Sequence, residues 1–357
     1  MKLFINGRFA TQPMSGVQRY AGEMLRALDS LGRAGRLGPT ELLSPPGARP
    51  AGLSHIEQRW VGAGGGHCWE QWHFARASRS GVALSLAMSG PLLHPRQMVV
   101  LHDAAVHRYP GHFSGRYAIA HRLLDHGLAR RARIATVSHF SRRELAAVLG
   151  LAEADILVAP NGADHARAIG RADAIDRLGL GDAPYFVMIG NLSPNKNVAM
   201  AVRALARIER ADVRLVVVGA AAGRFFVSPR EQPRDPRLIL AGRLDDDAVA
   251  ALLASACALL FPSRYEGFGL PPLEAMAAGC PVLASDCAAA RKVCGGAADH
   301  FAVDDDAGLA RLMVRALDDA QWRAERIAAG RKRALAYRWA DSAAIVAAGC
   351  AALGEAA

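Results

Sequence analysis

The chain has 357 residues, 52% of them hydrophobic, 21% charged and 6% aromatic, with a formal net charge of +10. This composition excludes a disordered or fibrous chain, and the length suits two globular domains at roughly 100–200 residues each. The positive balance favours an anionic partner, whether a nucleoside diphosphate, an acidic membrane surface or nucleic acid, without choosing among them.

No apolar stretch reaches the ~20 residues of a spanning helix; the longest, Ala248 to Pro262, runs into a polar turn at Ser263. The opening "MKLFINGRFA" meets Asn6 and Arg8 too early for a secretory core, so a cytosolic location is expected. The six cysteines form no C-x-x-C pair and no zinc-like grouping with histidines, which reads as buried or free thiols.

Strand-like and helical runs alternate from the start: "KLFI", a helix from Val17, "VALSLA", "QMVVLHD", a helix from about Gly115, "RIATVS", another helix and "ILVAPNG". This is the alternation of parallel α/β architecture. Residues 32–66, rich in glycine and arginine, are assigned only loosely. A linker is expected over 169–184, where the strands lapse, and a second series then runs "YFVMIG", "RLVVVG", "RLILAG", "ALLFPS", a helix from Pro271, "PVLAS", "HFAV" and two helices to about Leu335. The expected organisation is thus two doubly wound domains, 1–168 and 185–338. A final amphipathic helix occupies 339–357; its docking site is not legible, a return to the N-terminal domain being one outcome.

Ligands of open parallel sheets sit beyond the carboxyl ends of the strands. One such place is "SRYEGFGLPPLEAMAAG", residues 263–279, with Glu266 and Glu274 eight residues apart. On a continuous helix they would share a face. Gly267 and Gly269 suit a loop, and Pro271 with Pro272 a first helical turn, so Glu266 is expected on a loop and Glu274 in the first turn of a helix. The N–H groups of Gly267, Phe268, Gly269 and Leu270 then form a helix N-terminus suited to phosphate. Carboxylates beside an anion site fit a ligand with both diols and phosphates, such as a sugar nucleotide. Taken singly, Glu274 as a dipole complement and Glu266 as a solvated charge fit as well.

The string "PSRYEGFGLPPLEAMAAGCPVLASD" resembles the signature of the retaining glycosyltransferases of family 4 (group 1 glycosyltransferases). That resemblance implies the GT-B fold: two facing Rossmann-like domains with a deep interdomain cleft. It further implies that Glu274 holds the donor ribose and that Glu266 contacts the donor sugar. Along the chain, "MSGVQRYAGEMLRAL" resembles the family's first glycine loop, with Gly16 near the diphosphate. "VVLHDAA" resembles a strand ending in His-Asp, which puts His102 towards the donor sugar and Asp103 on the acceptor side. "VMIGNLSPNKN" resembles the loop that reaches the diphosphate through a lysine, here Lys196, one of only four lysines in the chain. Asn191 and Asn195 stand where many relatives carry a second, phosphate-binding arginine, so Asn191 is taken as a donor contact without charge. "LAGRLDDD" resembles the base-reading loop, which nominates Arg243 and Leu244. Ser138, Ser141 and Asn161 lie in further matching segments and equally suit caps or turns.

"GHCWEQWH" resembles a subset of the family found in O-antigen and exopolysaccharide pathways, including mannosyl- and rhamnosyltransferases. Trp69, Glu70 and Gln71 are the acceptor-side candidates; Trp69 and Trp72, three apart, equally suit one packed helix face. What the resemblance implies is retaining transfer of a hexose or deoxyhexose, with mannose or rhamnose favoured, from a nucleoside diphosphate sugar. The acceptor is a hydroxyl of a lipid-linked or growing cell-surface glycan, reached at an anionic membrane face. Glu266, His102 and Lys196 are the catalytic candidates. A phosphorylase on the same fold, or a catalytically silent partner protein, are the alternatives.

Other motifs mislead. "VGAGGGH" partly mimics a dinucleotide fingerprint, but His67 occupies its third glycine, which excludes a nicotinamide cofactor. Asp245–Asp247 and Asp304–Asp306 look like metal ligands yet precede apolar-periodic helices, where aspartates cap, so no essential metal or other cofactor is expected. The arginines are spread over nearly every helix without interleaved aromatics, which argues against nucleic acid.

Overall fold

A computed structural model of the chain describes residues 1–49, 51–167, 173–219 and 234–355. The first residues of the expected linker, 169–172, lie outside these. The chain divides into two compact units: Met1–Arg108, Ala118–Gly162 and Arg338–Ala357 form one, and Tyr109–Tyr117 with Ala163–Tyr337 the other.

The first unit carries a seven-stranded sheet of β1 (Leu3–Asn6), β2 (Thr40–Ser44), β3 (Glu57–Trp60), β4 (Val82–Ser85), β5 (Gln97–Val100), β6 (Arg133–Thr136) and β7 (Leu157–Val158). Its order is β3-β2-β1-β4-β5-β6-β7, with every pairing parallel. The second unit repeats the plan with β8 (Tyr185–Ile189), β9 (Arg214–Val218), β10 (Leu238–Gly242), β11 (Ala258–Phe261), β12 (Val282–Ser285) and β13 (Asp299–Phe301) in the order β10-β9-β8-β11-β12-β13. Both orders reverse direction beside their first strand, between β1 and β4 and between β8 and β11, which is where doubly wound sheets bind ligands.

Strands β1, β4, β5, β11 and β12 are buried along their whole length, which explains why they read as unbroken apolar runs. Strands β2 and β3 fall inside the loosely assigned stretch 32–66. β3, "EQRW", is a largely exposed edge strand with no apolar run to betray it.

The last helix, Trp339–Glu355, belongs to the first unit and buries Trp339, Ala343, Val346 and Cys350 along one face. It packs on the helix Gly16–Arg33; Trp339 meets the Tyr20 ring edge-on at 5.6 Å, and the Ser342 hydroxyl donates to the Pro160 carbonyl at 2.6 Å. Gly349 permits a close approach there: a Cβ would lie 2.5 Å from Met98 Cε and 2.6 Å from Leu157 Cδ1, so the ends of both side chains would have to shift.

The acid runs act as expected of caps. Asp245 accepts from the Ala248 amide and Asp305 from the Gly308 amide, each at 2.8 Å, opening the helices Asp246–Ser255 and Asp306–Asp318.

Candidate functional site

In the second unit, the loops after β8 and β11 meet at the switch point. Gly190, at φ +148°, follows β8 and is pressed against Gly219, at φ +149°, which follows β9; a Cβ on Gly219 would lie 2.0 Å from the Gly190 oxygen. This contact sets the course of the loop through Asn191 to the short turn Pro194–Lys196. Asn197 follows in the left-handed conformation and ties the turn down, its amide donating to the Pro262 carbonyl at 3.3 Å and to Asp304 at 2.9 Å.

The Lys196 ammonium donates to Glu266 Oε1 at 2.7 Å and lies 5.5 Å from the centre of the Phe261 ring. Both side chains are mostly buried, 20% and 17% exposed. The expected phosphate cation and the expected sugar-binding carboxylate are thus paired with each other. Asn195 is buried and neutral, bonded through Oδ1 to His112 Nδ1 at 2.5 Å, while Asn191 is half-buried. Arg264, the arginine next to this site in sequence, is engaged by Asp304 at 2.7 Å.

Glu266 lies on the loop, as expected. The helix begins at Leu270, one residue earlier than expected, which places Glu274 in its second turn rather than its first. Gly269 caps it at φ +104°, a conformation that suits glycine. Pro271 and Pro272 carry no N–H, so the amide donors at this helix start are confined to Gly267–Leu270. Phe268 and Leu270 contribute backbone only: both side chains are buried, and the Phe268 ring stands edge-on to Tyr337 at 5.7 Å. Glu274 Oε1 accepts from His165 Nε2 at 2.9 Å. His165 was missed by the sequence reading, although it directly follows the matching segment "VAPNGAD". Arg243 is exposed and Leu244 half-buried, immediately after Gly242 at the end of β10.

In the first unit, Gly16 opens its helix exposed, with open space where a Cβ would stand. His102 follows β5; its Nε2 lies 2.9 Å from the Leu86 carbonyl, and its ring meets Tyr20 edge-on at 4.7 Å. Burial lowers its pKa to about 4, so the imidazole is neutral, with Nε2 donating and Nδ1 the acceptor. Asp103 accepts from the Ala105 amide at 2.7 Å and serves the turn that follows. Ser138 caps the helix His139–Leu149, and the Ser141 hydroxyl donates to the His102 carbonyl at 2.9 Å.

The acceptor-side assignment of Trp69 and Glu70 is corrected by their burial and bonding, while Gln71 is half-buried. Trp69 is 1% exposed, with its indole N–H on the Val61 carbonyl at 2.7 Å and its ring 5.9 Å from Phe74. Glu70 is fully buried and accepts from Asn6 at 2.7 Å, Arg8 at 3.1 Å and Ser89 at 2.9 Å. Gln71 binds the Gly90 carbonyl and the Leu92 amide. Glu70 and Gln71 brace the loops after β1 and β4, and Trp69 braces the residue after β3. Trp72, by contrast, is 75% exposed, so the two tryptophans do not share a packed face; a π-helical turn over Glu70–Phe74 shifts the phase between them.

Among the described residues no helix is long and apolar enough to cross a membrane, and no group of three or more His, Cys, Asp and Glu is placed to hold a metal ion.

Two family models match this chain: one described as glycosyl transferases group 1, over residues 183–319, and one described as glycosyltransferase family 4, over residues 71–167. The O-antigen chain mannosyltransferase B of Escherichia coli is 28% identical over 256 residues, 68% of this chain and 67% of that protein. A glycogen synthase of Mycobacterium tuberculosis is 31% identical over 240 residues, 65% of this chain and 57% of its own length. The chain therefore spans between about half and two thirds of these curated relatives. The crystal structure of Anabaena Alr3699/HepE in complex with UDP-glucose superposes with a TM-score of 0.73 at 17% identity, covering 99% of this chain and 100% of that one; at that identity the likeness is one of fold.

Proposed function

Because the chain belongs to the group 1 glycosyltransferases of family 4 and has their GT-B fold, we propose that it transfers a sugar, with retention of configuration, from a nucleoside diphosphate sugar to a glycan hydroxyl. The observation that carries this reading is the Lys196–Glu266 pair at the carboxyl ends of β8 and β11, with Glu274 on the helix that follows. A diphosphate entering here offers Lys196 a more highly charged partner than one carboxylate, and the Gly267–Leu270 amides face the same anion. Glu266, released, is then an acceptor for the donor sugar's hydroxyls, and Glu274 for those of the ribose.

As the bond between the anomeric carbon and the β-phosphate oxygen breaks, charge grows on that oxygen, where Lys196 and the amides stabilise it. The acceptor hydroxyl forms the new bond on the same face of the sugar, and its proton passes to the departing phosphate. No protein nucleophile is required. In this reading Lys196 and the amides supply the charge compensation that a metal ion gives in other transferases. His102 is a neutral imidazole, a hydrogen-bonding group rather than a charged one.

The mannosyltransferase relative supports a mannosyl donor, and GDP as its carrier and a deoxyhexose as the alternative sugar are part of this proposal. The net charge of +10 supports contact with an anionic membrane surface where a lipid-linked acceptor lies. Thermal shifts with GDP, UDP, ADP and dTDP identify the base, and hydrolysis of the matching nucleotide sugars, followed by proton NMR of the anomeric centre, tests donor use and retention. Turnover that survives EDTA supports the metal-free step. Absence of any nucleotide-induced shift, or activity that requires inorganic phosphate, would overturn the proposal.

A further inference from the structure

Glu274 and His165 are 109 residues apart in sequence, and their contact is not implied by any motif. Glu274 projects from the second turn of Leu270–Ala278, with its side chain 14% exposed, and His165 Nε2 donates to its Oε1 at 2.9 Å. Among the described residues no other group bonds this carboxylate. His165 lies in the short turn Asp164–Arg167, and the preceding Ala163 amide donates to the Tyr337 carbonyl at 3.0 Å. The ring of the same Tyr337 packs edge-on against Phe268, at the start of the Glu274 helix. The histidine and the glutamate it holds are therefore braced by one residue, within one unit of the protein.

A carboxylate has about four lone-pair sites, and His165 uses one. A free glutamate with three rotatable torsions loses rotamer freedom when a ligand fixes it. Here that ordering precedes the ligand. We infer that His165 is a positioning residue for the donor nucleotide: it holds Glu274 by one oxygen so that the other meets the ribose hydroxyls. The inference rests on the reading of Glu274 as the ribose ligand and extends it to a residue which touches neither phosphate nor sugar. For His165 to donate through Nε2, that nitrogen carries the proton.

The test is titration calorimetry with GDP, UDP and ADP and with their 2′-deoxy counterparts, together with donor kinetics, on His165→Ala, His165→Asn and His165→Gln. The glutamine amide reaches about as far as Nε2, whereas the asparagine amide stops at the position of Nδ1. Returning that rotamer freedom to Glu274 weakens binding by about five- to tenfold. The expected result is an increase of that size in the Kd of the ribonucleotide and in the donor KM for the Ala and Asn variants. kcat stays within about twofold, and Gln restores binding to within about threefold, on the scale of hydrogen-bond energies. Binding of the 2′-deoxynucleotide, already weak, changes little. Equal losses for ribo- and deoxyribonucleotides would show a merely structural role and overturn the inference, as would unchanged ribonucleotide binding. If His165→Ala fails to fold, the Asn and Gln pair decides. A wild-type protein that binds none of these nucleotides overturns the reading of the site itself, an outcome distinct from a wild type that binds and a variant that binds equally.

Discussion

Glu70→Gln separates a scaffold role from a ligand role in the first unit. Glu70 is fully buried, and its carboxylate collects donors from Asn6, Arg8 and Ser89, with His67 Nδ1 at 3.2 Å. Arg8 is itself 7% exposed. Burial alone would raise the Glu70 pKa, but the His67 hydrogen bond and the Arg8 charge outweigh it and hold the group below the usual carboxylate range. Glutamine keeps the shape, removes the charge and turns an NH2 towards groups that already donate. Removing one partner of a buried ion pair costs about 3–5 kcal/mol. At about 2–4 °C per kcal/mol for a unit of 150–250 residues, the melting temperature should fall by about 6–20 °C. Tryptophan emission reports mainly this unit, which contains four of the five tryptophans, Trp60, Trp69, Trp72 and Trp339, with Trp322 in the other. A carboxylate with a depressed folded pKa stabilises the protein above its unfolded pKa, near 4.3, and that contribution is lost as pH falls through the folded value. The gap between wild type and variant should therefore be full at pH 7 and close below about pH 4. A loss under about 1 kcal/mol together with a large fall in activity would refute the scaffold reading and return Glu70 to the acceptor side.

Lys196→Ala should lower turnover by about a hundredfold or more, measured as initial rate at saturating donor, since it removes a charge aimed at the leaving phosphate. Gly219→Ala should weaken nucleotide binding several-fold and cost on the order of 1–3 kcal/mol in urea unfolding, because φ +149° and a 2.0 Å approach to the Gly190 oxygen force the Asn191 loop to move. His102, at about 4 when folded against about 6.5 unfolded, should make the protein lose stability as pH falls from about 6.5 to about 4, by up to about 1.4 kcal/mol per pH unit; His102→Gln should flatten that slope in unfolding measured across the range.

Much of the fold was legible in the sequence because parallel strands covered on both faces must be continuous apolar runs, and their alternation with helices admits few topologies. The division of Glu266 from Glu274 was legible for a local reason: Gly267, Gly269, Pro271 and Pro272 govern the chain within a few residues of themselves. The aspartate caps were legible for the same reason. β3 escaped because an exposed edge strand needs no apolar pattern, and the docking of the last helix in the first unit escaped because its small-residue face names no partner.

What tertiary structure alone decided is who holds whom. Lys196 and Glu266 are 70 residues apart, Arg8 and Glu70 are 62 apart, and His165 and Glu274 are 109 apart. In the first case two strand-end loops of one sheet meet, in the other two a short turn meets a helix, and in each a group that is solvated in the unfolded chain becomes a partner in the folded one. Glycines and prolines act on their own backbone, so their meaning is written locally. A charge acts across space, and its meaning waits for the fold to supply the neighbour.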